Sequence, residues 1–148
     1  MVTYESCHND VIYPCLTWAG YLTDWNGPEK GERPTGYILV LLPTGANRYA
    51  IFDAALAIQT LLLSAVERGW GGCVIGSIDR NRLREDLRIP DSYRIEVIVA
   101  LGKPVETVVV EDAPPDDLRY WRDSSGVHHV PKLPVDTLII PTRLHRLS

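Results

Sequence analysis

The chain has 148 residues, 45% of them hydrophobic and 23% charged, with a net charge of −4. That length suits one domain with a sizeable core, and the acidic balance leaves no basic footprint for nucleic acid. Cys7, Cys15 and Cys73 are odd in number and lack C-x-x-C spacing, which suits a reducing compartment and argues against a disulfide framework.

Residues 1–10 carry neither an apolar signal core nor a basic leader, and no apolar run reaches the roughly 18 residues that span a bilayer. A cytoplasmic chain with no membrane partner is the expectation. Residues 9–25 hold Tyr13, Trp18, Tyr21 and Trp25, with Pro14 placed to open a helix over about 14–22. The polar "NGPEKGERP", 26–34, reads as a surface loop. "TGYILVLLP", 35–43, is a continuous β-prone apolar run, as for a strand covered on both faces.

Residues 49–68, "YAIFDAALAIQTLLLSAVER", predict one long helix interrupted only by Asp53, Gln59, Thr60 and Ser64 among its apolar positions. A helix apolar on all sides calls for cover on all sides. This one is expected to be the spine of the domain and also to face another subunit. Gly69 suits a left-handed helix end. "CVIGS" follows as a short strand, then Asp79 as the cap of a helix through "RNRLREDL", closed by Pro90. Residues 93–102 predict a second central strand, and "KPVETVVVED" continues extended. From 113 to 148 periodicity is weak, which suggests an extended C-terminal arm, with "PTRLHRLS" free to fold back over uncovered apolar surface. Helices alternating with buried strands give an α/β or α+β chain.

The stretch "GWGGCVIGSIDR" places four glycines around one short strand. It is either a closely packed turn or a place where a flat ligand can lie against bare backbone. Other chemistry is poorly supported. Cys7, His8, Cys15, His128 and His129 fit no standard zinc spacing. "GWGGCVIG" is not G-x-G-x-x-G. Ser77 and Asp79 have no His at a triad-like spacing. Cys73 reads as a buried, inert thiol, and Trp18, Trp25, Tyr120 and Trp121 as core or interface anchors or as the wall of an aromatic pocket.

The order of "WAGYLTDWNGPEKGERPTGYILVLL", the long helix, "GGCVIGSIDR", "ALGKPVE" and "YWRDSSGVHHVPK" resembles the nitroreductase family of FMN-dependent flavoproteins, over most of residues 18–139. The resemblance implies an α+β fold with a central, mostly antiparallel sheet flanked by helices, and a long helix at a homodimer interface. It implies FMN, with Val74, Ile75, Gly76 and Ser77 beside the ring and Lys132 at the phosphate; Lys103 would mostly end its strand. It also implies electron transfer from NAD(P)H to a nitroaromatic, quinone or similar acceptor, with no side chain acting as nucleophile or general base. The chain departs from that family in having no Arg-x-Ser-x-Arg-like or Pro-Ser-x-x-Asn-x-Gln-Pro-like segment, so it reads as an N-terminally short member. The alternatives are a non-catalytic dimer with weak or no flavin binding, and a module that binds a flavin or nucleotide without turnover.

Overall fold

The computed structural model describes residues 1–140, which fall into two compact units. The first comprises Met1–Gly20 and Asp24–Pro104. It holds β1 (Val2–Thr3), α1 (Ser6–Ile12), a 3-10 turn at Tyr13–Cys15, β2 (Gly36–Pro43), α2 (Ala50–Glu67), β3 (Gly71–Ile75), α3 (Arg80–Asp86) and β4 (Tyr93–Gly102).

Four strands form an antiparallel sheet in the order β1-β2-β4-β3. The two long apolar runs of the sequence, β2 and β4, are the central pair, joined from Gly36↔Leu101 to Pro43↔Tyr93 with a shift of register between Val40 and Leu41. Tyr37 and Leu39 of β2 lie opposite Ala100 and Ile98 of β4, and Ile75 of β3 lies beside Ile98. These residues are buried in one cluster with Ile12, Cys15, Leu83 and Ile89. One face of the sheet is thus sealed by α1, the 3-10 turn and α3.

The N-terminal helix differs from expectation. It ends at Ile12 and gives way to a 3-10 turn, so residues 16–22 are not helical. Pro14 has no N–H to continue the α-helical ladder, and Leu16 is instead bridged to Ile78. Trp18 packs on the Tyr13 ring, with centroids 5.7 Å apart, and Ala19 turns the chain at φ +33°.

The long helix α2 is present as predicted, but none of its residues is buried. Phe52 and Leu56 are 62% and 69% exposed, and Ile51, Leu61, Leu63 and Val66 are exposed as well. Covering a side chain of this size is worth about 1.5–3 kcal/mol, so this surface is a large unrealised term. α2 is also long and apolar enough, at 18 residues and mean hydropathy 1.6, to cross a bilayer by length and composition. That corrects the reading that no run reaches spanning length. Asp53, Gln59, Thr60 and Ser64 break the unbroken apolar run but not the helix-length average.

The second unit comprises Tyr21–Thr23 and, among the described residues, 105–140. Here β5 (Val108–Asp112), β6 (Trp121–Arg122) and β7 (His128–Lys132) form a sheet in the order β5-β7-β6, followed by α4 (Val135–Leu138). β5 runs parallel to β7, and β6 antiparallel. Residues 113–140 therefore carry more regular structure than their weak periodicity indicated. Asp123 accepts the amides of Ser125 and Val127 at 2.8 and 2.9 Å, which closes the turn between β6 and β7 around Gly126 at φ +82°. The "PTRLHRLS" segment lies outside the described residues.

Candidate functional site

The glycine-rich stretch divides into two parts. Gly69 ends α2 at φ +70°, the left-handed conformation expected of it. Its carbonyl accepts Lys103 Nζ at 3.0 Å, while the same ammonium lies 4.5 Å from the centroid of the Trp70 ring. Lys103 thus ties the end of β4 to the end of α2. A side chain on Gly71 would press on Pro104, and one on Gly72 would collide with Leu62 of α2 and crowd Leu101. These three glycines serve a closely packed turn.

Gly76 is different. A Cβ built there meets nothing within 4 Å. Its φ is not positive, so no backbone strain asks for glycine. Among the described residues, the amides of Gly76 and Ser77 donate no hydrogen bond. The carbonyl side of the same turn is fully engaged: Ser77 accepts the Thr17 amide at 3.0 Å and Gly76 accepts Arg80 Nη2 at 3.2 Å. The turn thus leaves two backbone donors unused, with open space at the Gly76 Cα, while being held from behind.

Arg80 is the residue sequence reasoning missed. Its guanidinium also donates to the carbonyls of Ile95 and Glu96, each at 2.9 Å, and so clamps the turn onto β4. Asp79, one residue earlier, accepts the Arg82 amide at 3.1 Å and caps α3 as predicted. In the sequence, Arg80 is one of four arginines between 80 and 88, and no local pattern sets it apart.

The remaining predicted site residues are placed as follows. Val74 is 44% exposed, whereas Ile75 is 6% exposed and belongs to the core. Successive strand residues face opposite ways, so of these two it is Val74 that offers apolar surface. Lys132 ends β7 in the second unit and is exposed, its carbonyl accepting the Ala113 amide at 2.9 Å. Cys73 is exposed, not buried as expected, because β3 is an edge strand; the buried thiol is Cys15. Burial raises the Cys15 pKa, and its S–H donates to the Val11 carbonyl at 3.4 Å.

The four aromatic candidates are divided between the two units. Trp18 and Trp25 belong to the first unit, Tyr120 and Trp121 to the second. Tyr120 meets Tyr21 and His128 edge-on, and Trp121 stacks on His129 with centroids 4.0 Å apart and planes 8° from parallel. His129 Nδ1 lies 2.5 Å from Glu111 and Nε2 lies 3.6 Å from Asp123. Hydrogen bonding to Glu111, ahead of its charge and that of Asp123, raises the His129 pKa against a smaller opposing effect of burial. Cys7 and His8 gather with Glu5 at the surface, ligand atoms within 4.8 Å of one another, while Cys15 is buried and His128 lies in the second unit.

Comparison with known proteins identifies the family and the fold. The profile described as "Nitroreductase family" matches residues 24–103, more than half of the chain. An FMN-dependent nitroreductase from Clostridium difficile R20291 superposes with a TM-score of 0.53 at 21% identity, covering 72% of this chain and 62% of that one. Iodotyrosine deiodinase, solved with FMN and 3-iodo-L-tyrosine, gives 0.53 at 19% identity, with 70% and 65% covered. A protein from Bacteroides fragilis NCTC 9343 gives 0.61 at 18% identity, with 100% and 57% covered. The chain therefore spans less than two thirds of the length of these relatives. No functionally curated sequence matches. The antiparallel sheet flanked by helices is the nitroreductase-like α+β fold, and the chain belongs to the nitroreductase family.

Proposed function

We propose that the chain is an FMN-dependent oxidoreductase that passes electrons from NAD(P)H to a nitroaromatic, quinone or similar acceptor. The observation that carries this reading is the turn after β3, where two undonated amides adjoin open space at Gly76. A flavin ring presents acceptors at N5 and along its pyrimidine edge, and backbone N–H groups beside those atoms hold and tune it. When bound, FMN supplies the hydride-accepting centre. The chain's own residues bind and orient: Gly76 and Ser77 donate from the backbone, Val74 offers apolar surface, and Ile75 anchors the strand from the core side. Lys132 is assigned to the phosphate on chemistry alone, as an exposed ammonium able to pair with a dianion. No side chain is assigned as nucleophile or general base.

The same reading takes the chain to be a homodimer in a reducing cytoplasm. A helix with no buried residue and six exposed large apolar side chains is a surface for another copy rather than for water. The test is a visible spectrum of the purified chain after FMN is added and the excess dialysed away. Retained flavin bands at about one per chain support the assignment, and NADH consumption with a quinone then tests turnover. A colourless protein refutes FMN binding by this chain.

A further inference from the structure

A cleft of about 170 Å³ opens in the first unit where α1 meets the chain entering β2. Its floor includes Tyr37, a core residue only 1% exposed. Among the described residues the Tyr37 hydroxyl makes no hydrogen bond. The ring is buried, but the hydroxyl oxygen opens to the cleft, where it can still take up a hydrogen-bond partner.

Two opposite charges stand at the same cleft. Arg33 lies flat on the Tyr13 ring, its guanidinium carbon 3.8 Å from the centroid, so the group is held in place rather than swinging in solvent. Asp10 lines the cleft from the last turns of α1, and Ser6 adds a hydroxyl. Among the described residues neither Arg33 nor Asp10 forms an ion pair. Both are close enough to act on Tyr37: burial first, then Tyr13 and Asp10, push its phenol up to about 12, while Arg33 opposes them. The other polar lining groups are already used. Tyr13 donates its hydroxyl to the Pro28 carbonyl at 2.7 Å, and Asn9 donates to the Thr35 carbonyl at 2.9 Å while accepting from Thr3.

We propose that this cleft binds a small zwitterion of the free α-amino-acid type, its carboxylate on Arg33 and the Tyr37 hydroxyl and its ammonium on Asp10. A guanidinium fixed by stacking is suited to carboxylate recognition because its donors are already oriented. A simple anion would meet the Asp10 charge, and a simple cation the Arg33 charge, so a ligand carrying both signs suits the site best. The volume is that of about five or six liquid waters, which limits the ligand to a small amino acid. This inference stands on unit-one residues alone and does not depend on flavin.

The experiment is a titration of the full ¹⁵N-labelled chain with glycine, followed by amide chemical shifts, with acetate and methylammonium as single-charge probes. Saturable millimolar shifts confined to residues 6–13 and 33–37 are expected, with each single-charge probe at least about tenfold weaker. Tyr37→Phe and Asp10→Asn should each weaken glycine by about tenfold while leaving the remaining spectrum in place. Tyr37→Phe keeps the core volume, and Asp10→Asn changes only an exposed residue, so a loss of folding in one still leaves the other decisive. No saturable shift, or equal response to acetate and glycine, overturns the proposal.

Discussion

Arg80 Nη2 donates to the carbonyl of Gly76 at 3.2 Å, which makes one exposed arginine the rear support of the turn whose front face is open. The same side chain reaches Ile95 and Glu96, so three backbone carbonyls from two segments converge on it. Replacing Arg80 with Ala should cost about 1–3 kcal/mol, the range for lost charge-assisted bonds. Hydrogen exchange at the Thr17 and Asp79 amides, which bond to Ser77 and Cys15 and so tie this turn in place, should quicken with or without FMN, and unchanged exchange would show that the turn stands by itself.

The glycines around β3 should separate by substitution. Gly72→Ala forces the ends of the Leu62 and Leu101 side chains aside and should destabilise the chain more than the same change at Gly76. Gly76→Ala enters open space at an ordinary φ and should stay within about 0.5 kcal/mol of the parent. Its effect should fall on FMN retention instead, measured by the dialysed visible spectrum. Urea melts of the two variants check the first part, and equal destabilisation by both would contradict it.

How much of this was legible beforehand depended on the range of each signal. β2, α2 and β4 declare themselves because ten or so neighbouring residues repeat one message, and Asp79 does so because a cap is a local device. β1 is two residues long and exists through its pairing with Ile38 and Tyr37, which no local pattern encodes. The helix expected over 14–22 failed because Leu16 was claimed by Ile78, more than sixty residues away. Within the site, the turn could be read from its glycines, but the open space at Gly76 and the tight fit at Gly72 depend on neighbours from other segments.

Tyr37 sets an alkaline limit. Its folded pKa, pushed up to about 12 chiefly by burial, lies above the ordinary value of 10. Between those values an unfolded chain loses the phenolic proton and the folded chain keeps it, so stability is intact below pH 10 and is lost as pH rises towards 12. The loss amounts to about 2–3 kcal/mol by linkage. Tyr37→Phe should remove that part of the pH dependence, and melts of both proteins across this range would reveal a curve that fails to flatten.

His129 acts in the same direction at lower pH. Its raised pKa means that the bond to Glu111 favours the protonated ring, so this contribution is full below the usual histidine range and fades as pH rises through the folded value. Asp123 is the opposite case: the Val127 amide, first among its causes, lowers its pKa, so its contribution fades only in acid. An NMR titration should place the His129 ring above 6.5 in the native chain, and a value at or below that would remove the argument.

The three thiols should react in two classes. Cys7 and Cys73 are exposed, whereas Cys15 is buried with a raised pKa. Since the thiolate is the nucleophile, a chromogenic disulfide reagent should titrate two thiols promptly in the native chain and the third only after denaturant is added. Prompt reaction of all three would place Cys15 outside the core.

The uncovered length of α2 gives the chain an unusual dependence on its surroundings. Anything that binds the folded form over Phe52, Leu56 and Leu63, and does not bind the unfolded form, raises stability by mass action. With the proposed second copy as that binder, the melting midpoint becomes a property of the solution as well as of the sequence, and dilution alone lowers it.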